Sequence, residues 1–182
     1  MSSELGQLTT ARLTLRPVTE ADRRALLIVR NHRDVIESTA LSAEMTDERM
    51  QLQLGRWLEV WKTRGVGTWV IEMDGQVIGY VPLDPIGDDY PGVDPNELEL
   101  GVVIHPDHWG NGIAGEAGLA VAVDAFGRGG LRHLFATVDT HNDQSLAVLA
   151  KVPQAELITE EDGERLYRFP NPAASPSPRA EE

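Results

Sequence analysis

The chain has 182 residues, 41% of them apolar and 25% charged, with a net charge of −13 and no cysteine. That length supplies a hydrophobic core without help from disulfide or metal. The missing thiols exclude thiolate zinc sites, thiol catalysis and any thioester carried by the chain itself. No apolar run approaches a membrane span, and Met1-Ser2-Ser3-Glu4 lacks a basic, then apolar, leader, so a soluble cytoplasmic protein is expected. Between Gly65 and Gly127 there is no Lys or Arg, while eleven acids stand there, from Glu72 to Asp124. Such a stretch repels nucleic acid and anionic membranes and attracts cations, or else serves as a solvated face.

Residues 8–17 alternate as a strand, with Leu13 and Leu15 between polar neighbours. Thr19 caps a helix that runs to Arg30, and Thr46, followed by Asp47 and Glu48, opens a second one through Leu52, Trp57 and Trp61. Trp57 and Trp61, four apart, read as helix packing. Residues 67–73 and 76–83 form a hairpin around Asp74-Gly75. The Pro- and Gly-rich stretch 84–95 reads as a mobile loop; its Asp84, Asp88, Asp89 and Asp94 fit no EF-hand spacing.

Residues 98–104 return as a strand, followed by a glycine-rich turn and a small-residue helix over 111–126. A strand over 131–138, a helix over 142–151 and a hairpin around Asp162-Gly163 complete the domain, which spans residues 1–169. The tail 170–182, rich in Pro, Ala and Ser, is expected to be disordered. This order mixes meander and crossover and predicts an α+β, or α/β mixed-sheet, domain with a parallel strand–helix–strand unit over 98–138.

The chemistry concentrates in His105-Pro106-Asp107-His108-Trp109-Gly110-Asn111-Gly112-Ile113-Ala114-Gly115-Glu116-Ala117. Glycines between a strand and a helix make either a tight turn or a cradle of main-chain N–H groups at a helix N-terminus, suited to phosphate. With no Lys or Arg nearby in sequence, the amides would have to hold the anion. Neither a Walker loop nor the dinucleotide fingerprint fits. Pro106 between His105 and His108 argues against zinc, and no nucleophile elbow is present.

These residues resemble the GNAT superfamily of N-acetyltransferases, and within it the RimJ/RimL type. Gly112 and Ala114 match the acetyl-CoA signature, with Trp109 where Gln or Arg is usual, and Glu116-Ala117 following. Asn142, Ser145, Val148 and Lys151 resemble the branch's later motif, and Thr10-Ala11-Arg12-Leu13-Thr14-Leu15-Arg16-Pro17 its first strand. Val152-Pro153-Gln154 stands where Leu-Gly-Phe is usual.

The resemblance implies a mostly antiparallel sheet of about six to seven strands with a central parallel pair and about four helices. It implies direct acetyl transfer from acetyl-CoA to an amine, without metal, in a protein whose relatives are often homodimers. The cradle would be the amides of Trp109, Gly110, Asn111, Gly112, Ile113, Ala114 and Gly115. Val102, Val103 and Ile104 would pair with pantetheine as an added strand. Asn142 and Lys151 would also belong to the coenzyme site.

Glu99 would be the base, with Glu97 on the same strand face raising its pKa. Leu149 occupies the neighbourhood of the usual donor Tyr, which leaves Ser145 as proton donor or thiol-orienting group. His141 either lines the acyl site or belongs to a loop. The acidic stretch points to a cationic primary amine: a peptide N-terminus, a polyamine, or an amino sugar or antibiotic. The Val152-Pro153 departure and the missing Tyr leave a second reading open, a non-catalytic acyl-CoA-binding or amine-sequestering domain.

Overall fold

The computed structural model describes residues 6–38, 43–152 and 154–173. Pro153 and residues 174–182 of the tail lie outside them. The stretch 8–17 is a tight hairpin and not one strand. β1 (Leu8–Thr9) and β2 (Thr14–Pro17) pair antiparallel, with Leu8 opposite Leu15. Thr10 makes the turn, its hydroxyl accepting from the Leu13 amide at 3.0 Å, a local bond that competes with strand extension.

After a 3₁₀ turn, α1 (Arg23–Arg30) begins where the Thr19 amide and hydroxyl both donate to Asp22 Oδ2 at 2.8 Å. A short helix absent from the sequence reading follows, α2 (Arg33–Ser38). α3 (Asp47–Arg64) starts on Thr46, whose side chain accepts from the Arg49 amide, and stops at Gly65 in the left-handed region. Trp57 and Trp61 are buried on its inner face, Trp61 edge-on to Trp69 at 5.2 Å. β3 (Trp69–Met73) and β4 (Gln76–Val81) join through Asp74 and Gly75, both at positive φ, as a two-residue hairpin requires.

The next two expected strands each break in the middle. Beyond β4, Pro82 cannot donate to a ladder, and the chain resumes as β5 (Leu83–Pro85). The stretch 98–104 likewise divides into β6 (Leu98–Leu100) and β7 (Val103–Ile104). The two breaks face each other: the Gly101 amide donates to the Pro82 carbonyl at 3.1 Å, and a Cβ at Gly101 would meet the Pro82 ring at 3.1 Å. At this point both strands leave one sheet for another.

α4 (Ile113–Gly127), β8 (His133–Asp139), α5 (Asp143–Leu149), β9 (Glu156–Glu161) and β10 (Glu164–Pro170) complete the chain. Pro170 belongs to β10, opposite His133, and the Asn171 amide donates to the Arg132 carbonyl, so the chain stays docked past residue 169.

The result is an α+β fold of two five-stranded sheets, β1-β2-β3-β4-β7 and β5-β6-β8-β10-β9. All pairings are antiparallel except β6 with β8, where Glu99 lies opposite Phe135. The single sheet of six to seven strands becomes ten short strands because Pro82 and Gly101 divide two of them and the Thr10 turn a third. Among the described residues there are five α-helices, where about four were expected. α4 packs its small-residue face on the junction, and a Cβ at Gly118 would come 3.3 Å from Val102.

Gly79 is where β7 comes closest to β4: a Cβ there would collide with the Val103 carbonyl. Gly79→Ala is therefore expected to destabilise the fold by about 1–3 kcal/mol, the usual cost of overpacking a rigid site. Chemical denaturation of the variant checks this, and an unchanged midpoint would contradict it.

Candidate active site

The divergence of β6 and β7 sets up the site. β7 is the outer strand of its sheet, so among the described residues one edge of it carries no ladder. Trp109 occupies part of that edge, its indole Nε1 donating to the Ile104 carbonyl at 2.7 Å. Beyond Glu99–Phe135 the β6–β8 ladder stops, and the Thr137 amide donates instead to the Glu99 carboxylate, Oε1, at 2.9 Å. Glu99 is thus fixed at the mouth of the gap between the sheets.

Trp109 closes the 3₁₀ turn Pro106–His108, its amide bonded to the Pro106 carbonyl at 3.0 Å. That amide is therefore already bonded, unlike those that follow it. Gly110 and Gly112 both take positive φ, 75° and 74°, in the left-handed region open to glycine. Gly112 caps α4. Among the described residues no hydrogen bond uses the amides of Gly110, Asn111, Gly112, Ile113, Ala114 or Gly115; the first α4 bond runs from Glu116 N to the Gly112 carbonyl. These donors, with the positive end of the α4 dipole, fit a phosphate-bearing ligand.

The fold also brings a cation to this loop, which the local sequence does not show. Arg12, in the β1–β2 turn, bonds through Nη1 to the Asn111 carbonyl at 2.7 Å and through Nε to Glu116 Oε2 at 2.7 Å.

α5 lies beside the cradle: a Cβ at Gly115 would touch Val148 at 3.8 Å. Asn142 caps α5, Oδ1 accepting from the Ser145 amide at 3.0 Å, while Nδ2 donates to the Ser38 carbonyl at 3.0 Å. Both ends of its side chain are occupied, so the capping role is the one on display. The Ser145 hydroxyl is half-buried and has no partner among the described residues. Lys151 follows α5 on the exposed surface.

His141 is exposed, beside Asp139, and lines a cleft of about 290 Å³ with Glu37, Ser38, Trp109, Asp139 and Asn142. Among the described residues no group of three His, Cys, Asp or Glu side chains is placed to hold a metal ion.

The two glutamates part company. Glu97 Oε1 lies 2.9 Å from His133 Nε2, whereas the carboxyl set against Glu99 is Asp84, directly across β5. Burial pushes the Asp84 carboxyl above its ordinary value; the Trp57 indole, donating to Oδ2 at 2.9 Å, works against this, and the Glu99 charge adds to it. The sequence reading placed Asp84 among loop acids. Its position two residues after Pro82, opposite Glu99, was the available signal, but the burial comes from Trp57 on α3.

The loop after β5 is docked. Ile86 joins Phe135 and Leu166 in a small core against which Tyr90 and Val93 pack, and the Tyr90 hydroxyl lies 3.1 Å from Thr137 Oγ1.

Residues 12–152 match the Acetyltransferase (GNAT) domain, and the chain belongs to that family. The FsC-acetyl coenzyme A-N(2)-transacetylase of Aspergillus fumigatus is 29% identical over 147 residues, 79% of this chain. The chain spans 62% of that relative's length. An acetyltransferase from Agrobacterium tumefaciens superposes with a TM-score of 0.74 at 25% identity, covering 91% of this chain and 95% of its own. A RimL ribosomal L7/L12 alpha-N-protein acetyltransferase in complex with coenzyme A gives 0.70 at 15% identity, covering 91% and 98%, a likeness of fold.

A raised Asp84 pKa carries a stability signature. The folded state disfavours the ionised carboxyl, so this group's contribution is full below its ordinary value of about 3.9 and is lost as pH rises through the raised one. Asp84→Asn is expected to raise the Tm at pH 7–8, with the gain vanishing towards about pH 3.5. A Tm at or below wild type at every pH would contradict this.

Proposed function

We propose that the protein is an acetyl-CoA-dependent N-acetyltransferase of the RimJ/RimL type, acting on a cationic primary amine. The observation that carries this reading is the Glu99 carboxylate held on the Thr137 amide at the gap between the sheets, together with a run of unbonded amides from Gly110 to Gly115. A negative ligand segment fits the amides, and an amine fits the carboxylates. The cleft lined by Trp109 and Asn142 adds Glu37, Asp139 and Asp143. The Aspergillus relative is named for transfer from acetyl coenzyme A to a nitrogen.

When bound, acetyl-CoA supplies the acetyl thioester. The Gly110–Gly115 amides would hold its diphosphate, and the free edge at Val102 and Ile104 would offer main-chain groups to its pantetheine arm. Glu99 accepts a proton from the acceptor ammonium. Asp84 faces Glu99 across the strand pair and keeps that corner acidic. Ser145, one turn into α5, donates to the leaving side. Tyr90 and the docked loop shield the corner from water. The acceptor classes that fit are peptide N-termini, polyamines and amino sugars.

Glu99→Gln keeps the size of the side chain and removes its basicity. It is expected to lower kcat by about 10²–10⁴-fold, as loss of a general base does, while leaving the Kd for CoA unchanged. Thiol release with acetyl-CoA and a panel of cationic, neutral and anionic amines gives the wild-type reference. Preference for neutral or anionic amines would contradict the charge reading. Tight CoA binding with no turnover across the panel would favour the non-catalytic reading.

A further inference from the structure

Two motifs that the proposed chemistry leaves without a role, the Arg12 hairpin and Glu116, meet at the cradle although 104 residues separate them. The Arg12 guanidinium forks. Nε donates to Glu116 Oε2 at 2.7 Å, Nη2 also reaches that oxygen, and Nη1 donates to the Asn111 carbonyl at 2.7 Å. Glu116 is held from the same turn by two further donors, the Arg12 amide to Oε1 at 3.1 Å and the Thr10 hydroxyl. The Thr10 hydroxyl, ahead of Arg12, keeps the Glu116 carboxyl below its ordinary range, against a rise from burial, so the ion pair is complete at neutral pH.

The consequence lies in one peptide plane. The Asn111 carbonyl and the Gly112 N–H belong to the same trans peptide and point in opposite directions. Arg12 draws the carbonyl to its own side, which turns the Gly112 N–H to the other. Gly112, at φ 74° and without a side chain, lets this peptide rotate unless something holds it. The Arg12 charge is meanwhile spent on Glu116, so the guanidinium is a poor direct phosphate ligand. It lies near the cradle, with Nη2 at 3.8 Å from where a Gly112 Cβ would stand.

We propose that Arg12 is a positioning residue for the coenzyme site. By clamping the Asn111 carbonyl, with Glu116 as its anchor, it fixes the Gly112 N–H towards the diphosphate. The inference rests on the reading that the 110–115 loop binds CoA.

The test measures Kd by calorimetry for CoA and, separately, for pantetheine, which lacks the diphosphate. The proteins are wild type, Arg12→Ala, Arg12→Lys and Glu116→Gln. Arg12 is exposed and its ion pair solvated, so the fold is expected to survive, with a Tm close to wild type. Arg12→Ala and Arg12→Lys should both weaken CoA by about tenfold, the loss of one well-aimed hydrogen bond, and leave pantetheine unchanged. In turnover, KM for acetyl-CoA should rise with kcat kept.

Glu116→Gln separates orientation from charge. It should weaken CoA if Arg12 acts by orientation, because the guanidinium loses its anchor. Rescue of CoA affinity by Lys, or tighter CoA binding in Glu116→Gln, would overturn the proposal in favour of direct charge attraction. Unchanged CoA affinity in both Arg12 variants would also overturn it. Failure of the wild type to bind CoA would instead sink the reading of the loop itself.

Discussion

Unpaired main-chain groups in the middle of a folded chain are expensive, and this fold leaves many of them in one place. The cause is the junction of Pro82 with Gly101, where two strands change sheets together and two ladders stop. One edge of β7 is left open, the Thr137 amide has no strand carbonyl to bond, and a run of amides ends unbonded at the start of α4. The protein satisfies a few of these itself: Glu99 takes the Thr137 amide and the Trp109 indole takes the Ile104 carbonyl. The rest are the groups that the proposed coenzyme site would use for an amide-bearing arm and an anion.

The acidic corner follows from the same junction. Asp84 and Glu99 are direct cross-strand neighbours on β5 and β6, an arrangement that costs stability because like charges face each other. Trp57 holds Asp84 from α3, and the Thr137 amide holds Glu99; among the described residues neither carboxyl forms an ion pair, although the Arg56 charge acts on Asp84. Elsewhere the protein pairs such groups fully, as in the Arg16–Asp22–Glu72 cluster beside α1. The contrast is in keeping with the catalytic role proposed for this corner.

Much of the local structure was legible in the sequence because it is written locally. Asp74-Gly75 demands positive φ, Thr46 with Asp47 and Glu48 starts a helix that Gly65 ends, and the glycines around Asn111 bend a strand into a helix. The breaks at Pro82 and Gly101 were less legible, since each is innocent until the other lies opposite. α2, six residues long, is too short for periodicity to announce it.

The missed parts of the site are non-local. Arg12 reaches Asn111 across 99 residues and Trp57 reaches Asp84 across 27, so neither composition nor spacing near the motif reveals them. The inference that amides alone attend the cradle came from a local absence of Lys and Arg. The fold supplies a guanidinium there, turned on a carbonyl and a carboxylate.

The central claim is that the peptide hydrogens from Gly110 to Gly115 grip the coenzyme. Titrating ¹⁵N-labelled protein with CoA and following the backbone amides tests it directly. The account predicts the largest shifts at Gly112 and its neighbours to Gly115, with the Gly112 resonance moving downfield as its N–H meets phosphate oxygen. Saturable binding that leaves those amides in place and shifts another part of the chain would contradict it.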